Sequence, residues 1–420
     1  MLGLTLAKRL TPYFAVRFAG WLVDNLLIFG IPLLCYQASG ELSWSGLALA
    51  LQWTPRILSL MGAGFVVDRL AIRQMFLLCD SVRLATGVLS LLLVTWWPQS
   101  TLAVVLAFGA VAGVFFEQTF VAGEKAGRLL ATPAEQPAVQ STLTGLEQVT
   151  IVAAPALGGL LLLGPAQAFI GAATACYAVS LLLGRTMPAE RAGLDRRASL
   201  KQGLTRTLTD PVLRPVILLT MGLNYMLGLI NGSAAGLTHT RYGASETTLS
   251  FVYSAASIAS IAAVGLSPWL IRRFALWRYG AVTAVCSSVV CLALAGAPTM
   301  PVFALCLGAF LALDSLFSVY MRTSRAERVP AAVYGSTVAA FGLLVIVPLP
   351  LAGGTLALLG GRVDPRWLLI AAAVGALLLT LSFVPALARG PRAPEPEAEP
   401  DTVAAAVGER EGTPATGGTP

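Results

Sequence analysis

Several ionisable side chains stand inside stretches that are otherwise apolar: Asp24, Asp80, Glu117, Glu147 and Asp314 among the acids, Arg17, Arg56 and Arg83 among the bases. A charge held in hydrocarbon is expensive, so each such residue is a candidate for ion pairing, ligand binding or proton exchange. At about 1.5 Å of rise per residue, Asp24 and Arg56 each fall about 15 Å from the inner edge of their stretches, near the middle of a hydrocarbon layer of about 30 Å. Three uses fit that pair: a structural ion pair, an Arg56 that binds an anionic ligand, or an Asp24 whose proton is exchanged when ligand occupies Arg56. A buried charge without a partner is costly, so pairing in at least one state is expected.

The other charges sort by depth as well. Glu117 and Arg17 share a level near the inner edge, and Asp314 lies close to the basic run Arg322, Arg325 and Arg328; a gate or a structural salt bridge is expected for Glu117 and Asp314. Asp80 and Arg83 are three residues apart and can pair along one helix face. Glu147 stands beside Gln148, and helical phase alone does not decide which way it faces. Uncharged candidates are Trp53, Asn224, Tyr225 and Asn231. Asn224 and Asn231, seven apart, share a helix face and suit either a polar ligand or hydrogen bonding between helices. His239, the sole histidine, reads as an incidental loop residue.

The elements that must position these groups are membrane spans. Of the 420 residues 56% are apolar and only 12% charged, a charged share about half that of ordinary soluble domains. Apolar runs of the roughly 20 residues a spanning helix needs fall near 14–36, 44–66, 75–97, 100–122, 141–163, 166–186, 213–236, 248–270, 278–296, 300–321, 332–360 and 366–388. The first run lacks a small-residue cleavage site and reads as a retained span. The six cysteines all fall within spans, without metal-ligand spacing, and read as small core residues. Most of the 28 basic residues lie in segments that are cytoplasmic if the N-terminus is; Arg241, Arg362 and Arg366 are the outer exceptions. Both termini are therefore expected inside. The basic balance reports topology, with no soluble patch suited to nucleic acid.

The polar stretch from Met187 divides the spans six and six. This gives an N-terminal half over 1–186, a central cytoplasmic linker over 187–212, a C-terminal half over 213–389 and a Pro- and Glu-rich tail over 390–420 expected to be disordered. An internal repeat supports the two halves. Pro155-Ala-Leu-Gly158-Gly159 recurs as Pro350-Leu-Ala-Gly353-Gly354, and the same offset relates Ser141-Thr142 to Ser336-Thr337.

Between the second and third spans stands Gly64-Phe-Val-Val-Asp68-Arg69-Leu-Ala71-Ile-Arg73. It resembles the loop signature of the major facilitator superfamily, G-x-x-x-D-R-x-G-R-R, with Ala71 for the second Gly and Ile72 for one basic residue. The resemblance covers residues 8–389. It implies an all-α membrane protein of about twelve spans in two six-helix halves that rock about a midplane site. It also implies that Asp68 closes the cytoplasmic side against a helix N-terminus. Arg69 and Arg73 either pair with Asp68 or serve the positive-inside rule. In the second half Gly265-Leu-Ser-Pro-Trp269-Leu-Ile-Arg272-Arg273 lacks the acid, so the gates are expected to differ. Ala154-Pro155-Ala-Leu-Gly158-Gly159 is similar to the motif G-P-x-x-G-G of exporters in this superfamily, with Ala154 in place of Gly. Pro155 removes a backbone donor and Gly158 and Gly159 permit close packing, which suits a bending joint or an ordinary helix contact.

The run from Trp53-Thr-Pro55-Arg56 to Asp80-Ser-Val-Arg83 is similar to bacterial siderophore exporters, those for carboxylate siderophores such as vibrioferrin. The resemblance thus implies a secondary active exporter of a small organic molecule in the bacterial cytoplasmic membrane, with a carboxylate siderophore as cargo and proton antiport as the drive. Broad efflux of drugs or other metabolites is the alternative. Many proton-coupled members carry an Arg in the fourth span and residues 100–122 hold none, which leaves the coupling ion open. No enzyme activity, cofactor or metal is expected: one histidine and no hydrolase motif leave no catalytic set. No G-x-x-x-x-G-K-[ST] loop is present to use ATP.

Overall fold

The computed structural model describes residues 2–132, 135–187, 200–329 and 331–388; within these, the side chains of 2–9, 62–69, 125, 128, 137, 140, 200 and 331–336 are outside the description. The helices are α1 (Leu2–Ser39), α2 (Leu42–Arg69), α3 (Ile72–Trp96), α4 (Thr101–Leu130), α5 (Gln136–Leu161), α6 (Ala166–Gly184), α7 (Leu200–Thr209), α8 (Leu213–Tyr242), α9 (Glu246–Arg273), α10 (Leu276–Gly296), α11 (Met300–Arg328), α12 (Ala331–Ile346), α13 (Pro348–Leu359) and α14 (Pro365–Leu387).

Among the described residues, 11 stretches are long and apolar enough to cross a membrane, α12 and α13 counting as one from Thr337 to Leu359. α2, of 28 residues, runs beside them. Helices dominate because in lipid every backbone polar group must be satisfied within its own segment. The span expected over 332–360 is divided at Val347. Pro348 and Pro350 have no N–H to continue the ladder, so the first helix ends before them and a new one starts with both prolines in its first turn. Within the linker, α7 packs on α12 and buries Gly203 and Thr207. Residues 188–199, the tail from 390, and the side chains of Asp68 and Arg69 lie outside the described residues.

α1 packs on α2, α4, α5 and α6, while α3 packs on α4 and α6. On the other side α8 holds α13 and α14, and α11 lies on α9 and α10. Two seams join these groups, α2 against α13 and α5 against α9. Residues up to Ala388 form one compact unit. α1 and α8 stop in the same way, the chain turning through left-handed backbone at Gly40 (φ 71°) and Gly243 (φ 62°), a conformation glycine takes without a Cβ clash.

The outer surface is greasy: Leu58, Leu163, Leu305, Leu358 and Leu378 are all exposed. Exposed Trp96, Trp97 and Trp367 mark one end of the bundle, and Trp269 the other, as indole rings do at the two faces of a bilayer.

Candidate functional site

The buried charges of the first six helices form one cluster. Arg56 on α2 donates from Nε and Nη2 to Glu117 Oε1 on α4, at 3.1 and 2.9 Å. Its guanidinium lies over the rings of Trp53 (4.0 Å) and Phe116 (3.4 Å), a geometry that adds cation–π attraction. Arg83 on α3 faces Asp24 on α1 at 3.8 Å and Asp80 at 3.4 Å. Asp80 in turn accepts from Ser180 on α6 at 2.7 Å. Arg17 reaches Glu124 at 3.3 Å and the Thr119 carbonyl at 3.3 Å, and Arg83 reaches the Thr119 hydroxyl at 3.4 Å. Thr119 thus ties the Arg17 and Arg83 groups together. A cleft of about 20 Å³, lined by Arg17, Asp24, Asp80, Arg83, Thr119 and Ser180 among others, has room for a single water.

This geometry corrects three expectations. Asp24 and Arg56 share a level but not a bond: Glu117 holds Arg56 and Arg83 holds Asp24. Glu117 carries the expected salt bridge, but with Arg56 and not with Arg17, which shares its level; the acid of Arg17 is Glu124, exposed at 39% and two turns nearer the helix end. Asp314 forms no salt bridge with the basic run; among the described residues it has no hydrogen-bond or ion partner. The Asp80–Arg83 pair is as expected. The reason for the mismatches is azimuth. Depth fixes which charges share a level, whereas the close packing of α2 on α4, with Gly113 against the Gln52 carbonyl, selects which of them meet.

A larger internal space lies elsewhere. A cavity of about 170 Å³ opens between α1, α5, α8, α9 and α11, walled by Ile28, Phe29, Leu33, Ile151, Pro155, Leu227 and Leu311. Its polar lining is Asn25, Asn231, Tyr253 and Ser257. Tyr253 donates to Asn231 Oδ1 at 3.0 Å, and Asn25 donates to Thr150 at 3.0 Å. Phe29 and Tyr253 meet edge to face at 5.3 Å. No lysine, arginine, aspartate or glutamate is part of this lining. Of the residues singled out from sequence, Asn231 and Pro155 line it. Asn224 spends its amide on the Thr220 carbonyl of its own helix, and Tyr225 bonds Thr355 at 2.9 Å. Asn25, Tyr253 and Ser257 were missed, although Tyr253 and Ser257, four apart on α9, carry the helical spacing of a shared face.

The repeated Pro–Gly–Gly motifs sit at the two seams. A Cβ on Gly353 would lie 2.5 Å from the Ala50 nitrogen, and one on Gly46 opposite would lie 2.5 Å from Leu356 Cβ. At the other seam a Cβ on Gly159 would run into Ser250, and Thr247 donates to the Gly159 carbonyl at 3.2 Å. Gly158 packs toward Phe29 and Leu26 of α1. Both seams are tightest toward the end that carries the Gly40 and Gly243 turns. Arg73 is exposed near the opposite end.

A bundle of apolar spans with a seam-bounded central cavity and buried charges defines a membrane transporter. Residues 13–347 match the Major Facilitator Superfamily, and the chain belongs to it. No curated protein matches the sequence. Among solved structures, the nucleoside transporter NupG is similar at TM-score 0.73 and 14% identity, over 89% of this chain and 99% of that one. A bacterial homologue of the iron transporter ferroportin, in its inward-facing state, gives 0.70 and 16% over 91% and 99%. The D-xylose–proton symporter gives 0.69 and 14% over 90% and 99%. At such identities the likeness concerns the fold. The chain is thus a multi-pass secondary transporter of small molecules and not an enzyme.

Proposed function

We propose that the protein exports small, mainly apolar organic molecules across the bacterial cytoplasmic membrane, with its termini inside and the proton gradient as energy source. The observation that carries this reading is the neutral cavity between the seams, apolar walls with two amides, a phenol and a hydroxyl, the composition of a site that takes ligands chiefly by apolar burial. The placement of Pro155, Gly158 and Gly159 between that cavity and the α9 seam supports the exporter resemblance of the motif. Purified protein in proteoliposomes is expected to move uncharged aromatic compounds in the direction opposite to protons running down an imposed gradient, and to stop when an uncoupler is added. Transport confined to polyanions would remove the reading.

A carboxylate siderophore is the second reading, and one observation favours it. Arg56 Nη1 and Trp53 Nε1 are buried donors without a partner among the described residues, suited to a carboxylate once Glu117 lets Arg56 go. It is tested by secretion under iron limitation. Loss of iron-chelating metabolites from the medium on deletion of the gene, with accumulation inside, would support it, whereas unchanged secretion would dismiss it.

A further inference from the structure

The turn that joins α9 to α10 carries the second-half counterpart of the loop signature, and neither the cavity nor the charge cluster draws on it. Counted from Gly265, Trp269 stands where Asp68 stands from Gly64. An indole thus replaces the acid, while Arg272, Arg273 and Arg278 flank the turn at Phe274 and Ala275. All three arginines are exposed. None has an acid or a hydrogen-bond acceptor among the described residues; Arg273 lies 5.9 Å from the Trp269 ring centroid and Arg278 5.3 Å from that of Trp277. Of the described acids at this end of the second group of helices, Asp210 accepts from the N–H groups of Val212 and Leu213 at 2.8 and 2.9 Å. Glu327 shares the last turn of α11 with Arg325 and Arg328.

Trp269 faces lipid. It follows Phe251 by 18 residues, five turns at 3.6 residues per turn, and Ile258 and Leu266 stand on the same side, all four between 51% and 58% exposed. Tyr253 and Ser257 turn away from that side, into the cavity. Arg273 lies about 6 Å further along the axis than Trp269, as befits a base at headgroup level beyond an interfacial indole. Phe274, 47% exposed, stands between the arginines. A guanidinium donates to two phosphate oxygens at once, and three without an acid favour a headgroup that carries no ammonium. We infer that the α9–α10 turn is a docking site for an anionic phospholipid of the leaflet opposite the Gly40 and Gly243 turns. Arg272, Arg273 and Arg278 take its phosphate, and Trp269 and Phe274 lie along its glycerol and upper acyl chain. The site stands apart from the cargo cavity, on the lipid side of the helix that gives Tyr253 and Ser257 to that cavity.

The test uses the full chain in phosphatidylcholine bilayers with a small share of phosphatidylglycerol brominated on its upper acyl chain, since bromine quenches indole emission on contact. The Trp269 signal is the emission of each protein less that of the same protein with Trp269→Phe. In wild type, brominated phosphatidylglycerol is expected to quench this signal as a lipid favoured at least about fivefold over brominated phosphatidylcholine, the gain from a single arginine beside an anionic headgroup. Arg272→Gln with Arg273→Gln and Arg278→Gln is expected to erase that preference. Lys201→Gln with Arg206→Gln and Arg214→Gln removes the same charge from exposed positions at the same end and is expected to keep it. No preference in wild type would overturn the site. Equal loss in both triple variants would also overturn it, leaving only the attraction of any basic surface for an anionic leaflet. Loss of the preference on addition of glycerol 3-phosphate would make the occupant a soluble phosphate and overturn the lipid as partner.

Discussion

On sequence grounds alone Arg56 is a candidate to bind an anionic ligand, and its setting changes what a mutation there reports. Two of its three nitrogens, Nε and Nη2, are committed to Glu117, and both side chains are only 5% exposed. Removing one partner of a buried pair leaves the other charge uncompensated, a cost of about 3–5 kcal/mol, whereas replacing both with apolar groups is often neutral. Arg56→Met is therefore expected to lower the thermal unfolding midpoint sharply, and the double variant Arg56→Met with Glu117→Met to recover most of the loss. Thermal scans of the purified variants decide it, and a double variant no better than the single one would show that Arg56 stabilises by other contacts. Loss of transport in Arg56→Met alone would consequently say little about ligand binding. The presence of these charges was legible, because an ionisable group in a span is conspicuous. Their partners were not, because sequence spacing gives depth along a helix but not which neighbour the helix turns toward.

Among the elements, the spans and the paired motifs were readable for opposite reasons. Length and apolarity locate a spanning helix without any knowledge of its neighbours, which is why α3, α6 and α14 fall close to their expected ranges. The Pro–Gly–Gly repeat was readable because small residues that recur at one offset imply the same close approach twice. The division of α12 from α13 was not foreseen, although Pro348 and Pro350 carried the signal. α7 was hidden by the polar linker around it. The seams yield a prediction that belongs to this scale. Gly353 has a backbone nitrogen of α2 where its Cβ would be, and backbone cannot swing aside as a flexible side chain can. Gly353→Val is expected to part α2 from α13 and open the cavity toward the Gly40 end. With the native cysteines replaced, Asn231→Cys should then react with a membrane-impermeant thiol reagent added on that side, several-fold faster than in the Gly353 parent. Equal rates would mean that this seam does not close the cavity.

For the whole molecule, the question is how a neutral cavity and a separate charge cluster act together. The cavity lies between the two groups of helices, whereas the Arg17, Arg56 and Arg83 pairs lie within the first group, on α1 to α4 and α6. α1 connects them: Asp24 faces Arg83 and the adjacent Asn25 faces the cavity. Consecutive residues on a helix point about 100° apart, so a shift of α1 that accompanies cargo binding at Asn25 also alters the Asp24–Arg83 distance. At 3.8 Å that contact is the longest of the pairs in the cluster, and so the one that a small movement most readily breaks or makes. The overall fold was legible from composition, but this division of labour was not, because it depends on which side chains face inward from a shared helix. Asp24→Asn removes the charge while keeping the shape, and Asn25 remains in place. In proteoliposomes the variant is expected to bind cargo with an affinity within about threefold of wild type, a difference under 1 kcal/mol, yet to lose the response of transport to an imposed pH gradient. Cargo binding and gradient-driven flux measured on the same preparation decide it. A variant that binds and still responds to the gradient would separate the cluster from energy coupling and leave it a structural role, whereas one that fails to bind would show that Asp24 shapes the cavity itself.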